Sequence, residues 1–185
     1  MYKNILSLII LLLIFTSCKK EQNPFEIGKQ HIGFLTDSTQ VKDLKTIFNN
    51  DSIVSFIGGD EFIGNKNNIE IFEKGGEKLL SLTPKHALDS TSVIESIQII
   101  DSRYKTPKNI STISSFKELS DTYKISKINN LINSILIRVN EINASFAIDK
   151  KELPANIRFD MNLNIEATHI PDNAKIKYFF INWSR

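Results

Sequence analysis

The chain is poor in the residues from which reactive sites are usually built. It has 185 residues but only one Cys, three His and seven Gly. A single Cys excludes an internal disulfide, and His31, His86 and His169 stand far apart without the neighbouring ligands that metal sites use. No Gly-x-Ser-x-Gly turn and no glycine-rich phosphate loop occurs. The sequence therefore predicts no metal, no cofactor and no catalytic residue.

Charge of either sign is also not in excess. The chain carries 23 Lys and Arg against 21 Asp and Glu, a formal net charge of +2. Nucleic-acid binding calls for a strongly basic domain or stripe, so no nucleic-acid partner is expected. Acidic neighbours such as Asp60 and Glu61 could do acid–base chemistry, but neighbours on a strand point to opposite faces. The sequence predicts a protein that is not an enzyme, with a carboxylate-dependent enzyme as the least favoured alternative.

The chain begins with a short positive start at Lys3 and an apolar run from Ile5 to Phe15. This layout is typical of a secretory signal peptide, and the run is short of the roughly 20 apolar residues that span a bilayer. Phe15-Thr16-Ser17-Cys18 resembles the lipobox of bacterial lipoproteins, with Phe15 where Leu is usual. The resemblance implies cleavage between Ser17 and Cys18 and acylation of Cys18. A transmembrane anchor, a buried helix and a signal peptide without lipid are the alternatives.

The lipobox resemblance also implies where the protein is held. Residues 1–17 would be the signal peptide, and residues 18–27 the lipidated Cys18 with a flexible, polar tether. Acyl chains on Cys18 would make the membrane a partner through lipid alone. Lys19 is not the Asp that retains proteobacterial lipoproteins at the inner membrane, and Glu21 is the tether's sole acidic residue before Glu26. We expect a lipid-anchored protein of the bacterial envelope, at the outer membrane and facing the periplasm, with surface exposure as the alternative.

Two segments of the remaining chain share one pattern. Apolar residues at the spacing of a helix face occur at Val41, Leu44 and Phe48, and again at Phe116, Leu119 and Tyr123. Ser115 and Glu118 have the spacing of a capping box. The pattern predicts two short helices and a tandem duplication, with one copy over residues 28–102 and the second over residues 103–185, packed as one compact unit.

Strand-like runs follow each predicted helix. Gly75-Gly76 lies between two of them and suits the positive φ angles of a hairpin turn, and Gly58-Gly59 predicts another turn. The predicted strands are Ser52–Ile57, Ile69–Glu73, Lys78–Leu82, Ser92–Ile100, Ile125–Leu131, Ile135–Val139 and Ala144–Ile148. The fold class is therefore predicted to be α+β, each copy being one short helix packed on a mostly antiparallel meander.

The second copy ends with two further predicted strands. Apolar and polar residues alternate from Ile157 to Ile165, the clearest period-two pattern in the chain. A last strand is predicted over Ile176–Trp183, with apolar residues on both faces from Tyr178 onward. Burial of this end against a helix is the favoured interpretation, and contact with a partner is the alternative.

The whole chain resembles the uncharacterised small lipoproteins of Bacteroidota, through the lipobox, the bias to Ile, Asn and Lys and the duplicated segment. A helix and a meander in tandem are also similar to β-lactamase-inhibitor-like proteins and small outer-membrane assembly lipoproteins. Leu35-Thr36 and Ile110-Ser111 stand where those proteins have Gly-Met-Thr. We expect a lipid-anchored binding or scaffolding module with an envelope protein as partner, and an inhibitor of an envelope enzyme as the alternative. The oligomeric state is not predicted.

Overall fold

The computed structural model describes residues 22–55 and 68–183. Several predicted features lie outside these residues: the signal peptide, Ser17 and Cys18, the first part of the tether, the end of the strand predicted after Ser55, the Gly58-Gly59 turn and Asp60-Glu61.

The described chain is an α+β fold of short helices and mostly antiparallel strands. Its strands are β1 (His31–Ile32), β2 (Leu35–Thr36), β3 (Ser52–Ser55), β4 (Ile69–Phe72), β5 (Lys78–Pro84), β6 (Ile94–Ile99), β7 (Lys127–Asn130), β8 (Ser134–Val139), β9 (Ala144–Asp149) and β10 (Ile176–Asn182). Its α-helices are α1 (Leu44–Ile47) and α2 (Phe116–Thr122). The predicted fold class is confirmed at this level.

Eight of the strands form one antiparallel sheet in the order β3-β4-β5-β6-β10-β9-β8-β7. Four consecutive strands build each half, and β6 and β10 join the halves at the centre. In that central pair, Ile97 lies opposite Ile181, and Ile99 lies opposite Phe179. β1 and β2 form a separate small hairpin.

One face of this sheet carries the hydrophobic core. Alternate residues of the strands point to the same face, so Ile97, Ile99, Phe179 and Ile181 are all buried together. Phe146 of β9 stacks on Phe179, with ring centroids 4.4 Å apart. The β1–β2 hairpin, the helices and the long loops supply the apolar residues that cover this face.

The segment just before β1 belongs to the folded domain and does not act as a tether. Ile27 is fully buried, and its amide donates to the carbonyl of Lys105 at 2.8 Å. The Phe25 ring packs edge-on against Tyr104, with centroids 5.1 Å apart. The prediction of a flexible tether up to residue 27 is wrong for these residues, because Phe25 and Ile27 find apolar partners in the core.

Both predicted helices are present and short. Helix α2 begins at the predicted capping box: Ser115 Oγ accepts from the amide of Glu118, and the Glu118 carboxylate accepts from the amide of Ser115 at 2.7 Å. The first helix starts as a 3-10 turn, Val41–Asp43, before α1. Among the described residues, no helix combines the length and apolar character needed to cross a membrane.

The predicted hairpin between β4 and β5 is confirmed. Gly75 and Gly76 have φ angles of +133° and +101°, which residues with a Cβ rarely adopt. Gly76 donates its amide to the carbonyl of Glu73 and so closes the turn.

The strand predicted over Ile157–Ile165 is absent, and this segment is a loop. Side chains bind the backbone groups that a neighbouring strand would have paired. Asn130 Nδ2 donates to the carbonyls of Asp160 and Leu163, both at 3.0 Å, and Asp160 Oδ1 accepts from the amide of Asn162. Such local bonds compete with sheet formation, so the alternation of apolar residues was misleading.

Candidate functional site

The second face of the sheet has no covering layer among the described residues and forms the candidate site. Strand β10 shows this directly, since Phe179 and Ile181 are buried while Tyr178 is 42% exposed and Phe180 is half-buried. Phe180 lies opposite Gln98 on one side and Ser145 on the other, which are polar residues of the same face. We call this surface the open face.

A groove of about 540 Å³ runs over the central strands of the open face. A hydrogen-bonded row crosses its floor from β6 to β9: Ser96 Oγ donates to Asn182 Oδ1 at 3.3 Å, and Asn182 Nδ2 donates to Ser145 Oγ at 3.2 Å. Leu136 and Phe180 add apolar surface beside this row. The groove therefore offers hydrogen-bonding groups held in place together with a patch of apolar contact.

Positive charge lies at one side of the groove. Arg138 of β8 lines it and is exposed, and Lys127 of β7 lies directly opposite Arg138 on the same face. Within the described part of the chain, neither side chain makes a hydrogen bond or an ion pair. Arg has five donors in a fixed planar arrangement that suits carboxylates. This side of the open face is thus suited to an acidic group on a partner.

Aromatic side chains lie at the other side. The rings of Tyr178 and Phe180 are 6.1 Å apart and tilted, and the Lys177 ammonium lies 5.5 Å from the Tyr178 ring. Asp149 holds that ammonium at 2.9 Å, and this pairing raises the pKa of Lys177. The favoured prediction, burial of this strand end against a helix, is wrong for Tyr178, which is 42% exposed and is covered by no helix of residues 22–55 or 68–183. The two-sided apolar pattern from Tyr178 onward was the signal of this surface.

A second exposed feature is the loop between β9 and β10, where Phe159 is 82% exposed. Besides the bonds from Asn130, Arg158 Nη2 donates to the carbonyls of Lys151 and Leu153, both at 2.8 Å. The buried Lys150 ammonium donates to Met161 Sδ at 3.1 Å. The loop thus presents an aromatic side chain on a backbone held by several side chains.

The three histidines, the described residues considered for catalysis or metal binding, lie in separate places. His31 lies in β1, His86 is exposed after β5, and His169 Nδ1 accepts from the amide of Glu166. Among residues 22–55 and 68–183, no group of three or more His, Cys, Asp or Glu side chains could hold a metal ion. Asp60, Glu61 and Cys18 lie outside these residues.

Comparisons with known proteins inform the fold. No protein-family model and no curated protein matches the chain. Among solved structures, the chain is similar to the uncharacterized protein yfeY from Escherichia coli, with a TM-score of 0.54 and 13% sequence identity. The match covers 85% of this chain and 99% of that one. At this identity the likeness concerns the fold alone.

Proposed function

We propose that the protein is a lipid-anchored module of the bacterial envelope that binds a protein partner through the open face. The observation that carries the proposal is the groove beside Tyr178 and Phe180, with Arg138 exposed at its side. Tyr, Phe and Arg are enriched where proteins meet, and hydrogen-bonding groups fixed in advance lose little entropy on binding.

The charge of the open face favours an acidic partner surface. Lys177 is paired with Asp149, whereas Arg138 and Lys127 keep their charges unpaired within the described residues. A carboxylate of a partner would pair with Arg138 through two parallel N–H···O bonds. Burial of Tyr178 and Phe180 would supply apolar contact beside that pair.

Crosslinking in cells tests the open face. A photo-reactive amino acid at Tyr178 should crosslink to a discrete protein, and the same group at Ile113, which is 80% exposed elsewhere, should not give that product. Adding Arg138→Glu should reduce the yield of the Tyr178 crosslink by about tenfold. Truncating or reversing one charge in an interface typically lowers the binding affinity by this factor or more. Equal products from Tyr178 and Ile113, or a yield unchanged by Arg138→Glu, would contradict the proposal.

The lipid anchor rests on the sequence Phe15-Thr16-Ser17-Cys18 and has its own test. Cys18→Ala should leave the signal peptide uncleaved and the protein without acyl chains, as read by intact mass and membrane partitioning. Ser17→Ala keeps a small residue before the cleavage point and should be processed normally. A processed Cys18→Ala protein that still partitions with membranes would refute lipidation at Cys18.

An inhibitor of an envelope enzyme is the second candidate, favoured by the Phe159 loop. A loop held by Asn130 and Arg158 with an exposed aromatic side chain matches the way rigid inhibitor loops enter a cleft. Asn130→Ala should then weaken binding of the enzyme, because it frees the loop without removing a side chain that touches the enzyme. Asn129→Ala should leave binding unchanged. A crosslinker at Phe159 would label the partner in this case, and one at Tyr178 would not.

We also infer that the fold arose by tandem duplication at about residue 103. In each half a short helix precedes four strands, and the halves meet through their last strands, β6 and β10. Leu44 and its counterpart Leu119 are both buried, whereas Val41 and Phe48 are half-buried where Phe116 and Tyr123 are buried. In the described part of the chain, the β1–β2 hairpin has no equivalent strand pair before α2, and the β9–β10 loop is longer than the equivalent β5–β6 loop.

A further inference from the structure

A cavity of about 200 Å³ lies apart from the open face, between the N-terminal segment, the end of α1 and the start of β3. Polar and apolar atoms contribute about equally to its wall, and four aromatic rings line it: Phe25, Phe34, Phe48 and Tyr104. Phe34 is 51% exposed and Pro24 is exposed, so these two residues lie at its rim. The cavity therefore has the mixed exposure of a binding pocket and is not a packing void.

Two polar groups in this wall are without partners. Tyr104 is 3% exposed, yet its hydroxyl makes no hydrogen bond within the described residues. The Asp51 carboxylate likewise makes no hydrogen bond or ion pair there. Neither group is sealed from solvent, and Asp51 is only partly buried, so both are accessible to a ligand that enters the cavity.

Charge around the cavity is negative on balance. Glu73 also lines it, and Arg103 donates to both oxygens of Glu73 at 2.9 Å and to Asp101 at 2.8 Å. The guanidinium thus pairs with two carboxylates and makes no ion pair with Asp51, on which it acts only at longer range. Burial, and then the neighbouring Glu73, raise the pKa of Asp51, as expected for a carboxylate without a cation of its own.

We propose that this cavity binds a small organic cation with an apolar body. The cationic group would pair with Asp51 and donate to the Tyr104 hydroxyl, and the apolar body would lie among the Phe25, Phe34 and Phe48 rings. Aromatic rings attract cations through their π faces, and here they would also exclude water from the ion pair. Hydrolysis by a pair of carboxylates does not suit the same cavity, because Glu73 is held by Arg103 and Asp51 stands alone.

Calorimetric titration of the purified full-length protein in detergent tests this site with three probes of one shape. Phenethylammonium carries the cation, 2-phenylethanol is its neutral counterpart, and 3-phenylpropionate carries an anion. Phenethylammonium should bind about tenfold or more tightly than the alcohol, the usual strength of a charge-assisted hydrogen bond, and the propionate should not bind.

Variants assign the binding to the cavity. Asp51→Asn should abolish the preference for the cation, and Tyr104→Phe, which keeps the ring beside Phe25, should weaken binding a few-fold. Asp121→Asn removes the same charge from α2 and should change nothing; circular dichroism checks that each variant is folded. Titration of each probe into the same detergent without protein gives the baseline for probe uptake by micelles.

Three results would overturn the proposal: equal binding of the alcohol and the cation, unchanged cation binding by Asp51→Asn, or no binding of any probe. A partner crosslinked at Tyr178 bears on the open face and not on this cavity, so the two proposals fail separately.

Discussion

Among the described residues, truncation of Phe146 should lower the free energy of unfolding the most. It is fully buried at the centre of β9 and stacks on Phe179 of the neighbouring strand. Phe146→Ala should lower the free energy of unfolding by about 3–5 kcal/mol, through lost burial and the cavity left behind. Urea denaturation measures this change.

Phe159→Ala is the matched control, because it makes the same change at a side chain that is 82% exposed. Its free energy of unfolding should stay within about 0.5 kcal/mol of the wild type. Similar losses in both variants would show that Phe146 is not in the core.

Asp51 makes the stability depend on pH in a sense opposite to that of most carboxylates. Its pKa is raised in the folded state from the ordinary value of 3.8, so folding favours the protonated form and stability falls as pH rises through this range. Burial and then Glu73 raise this pKa, Arg103 lowers it in part, and the Tyr104 hydroxyl is the remaining titratable group nearby. Asp51→Asn should therefore raise the urea midpoint at pH 7 and have less effect at pH 3.

Asp121→Asn should give no comparable gain at pH 7, since Asp121 is exposed on α2 beside Lys117. An Asp51→Asn protein that is less stable than wild type at pH 7 would contradict the prediction. A gain would indicate that the carboxylate is kept at a cost to stability, which is common for residues that serve binding.

At the scale of elements, helix α2 depends on its capping box. Ser115 and Glu118 satisfy each other's backbone amides, and the helix is too short to be stable without such contacts. Ser115→Ala should cost about 1 kcal/mol of unfolding free energy. Ser120→Ala, inside the same helix, should cost nothing because Ala is the better helix former. Equal losses in the two variants would mean that the cap contributes no stability.

Elements were predictable where local chemistry and packing agreed. The Ser115 cap, the Gly75-Gly76 turn and the Ile and Val runs each favour one structure, and each is present. Ile157–Ile165 shows the opposite case. Its alternation predicted a strand, but the side chain of Asn130, distant in sequence, binds the carbonyls of Asp160 and Leu163.

The candidate sites were harder to predict, because they depend on which surfaces stay uncovered. The apolar residues on both faces of β10 did mark the open face, yet burial was the simpler interpretation of Tyr178. The cavity brings together Phe25, Asp51, Glu73 and Tyr104 from four separate parts of the chain. Nothing in their spacing along the sequence indicates that they meet.

The whole molecule should unfold as one unit. The core is continuous across both halves, and β6 and β10 pair at its centre through Ile97, Ile99, Phe179 and Ile181. Neither half can bury these residues alone. We therefore expect a single unfolding transition, with far-ultraviolet circular dichroism and the fluorescence of Trp183, the chain's single and buried Trp, changing together.

Fragments of the two halves extend this prediction. Residues 22–102 and 103–185 should each be unfolded or self-associated alone and should regain the native spectra when mixed. A fragment that folds as a stable monomer would contradict the dependence of each half on the central strand pair.

The packed N-terminal segment determines which way the protein would face at a membrane. Gln22 Nε2 already donates to the carbonyl of Gly33 at 2.6 Å, so the four steps from Cys18 to Gln22 span at most about 14 Å. This short linker joins the layer that covers the core, on the side of the sheet away from Tyr178 and Arg138. A lipid on Cys18 would thus anchor the protein with the covered face of its sheet toward the membrane and with the phenylalanine-lined cavity close to the lipid headgroups. The open face would point outward, where a partner in the aqueous space could reach it.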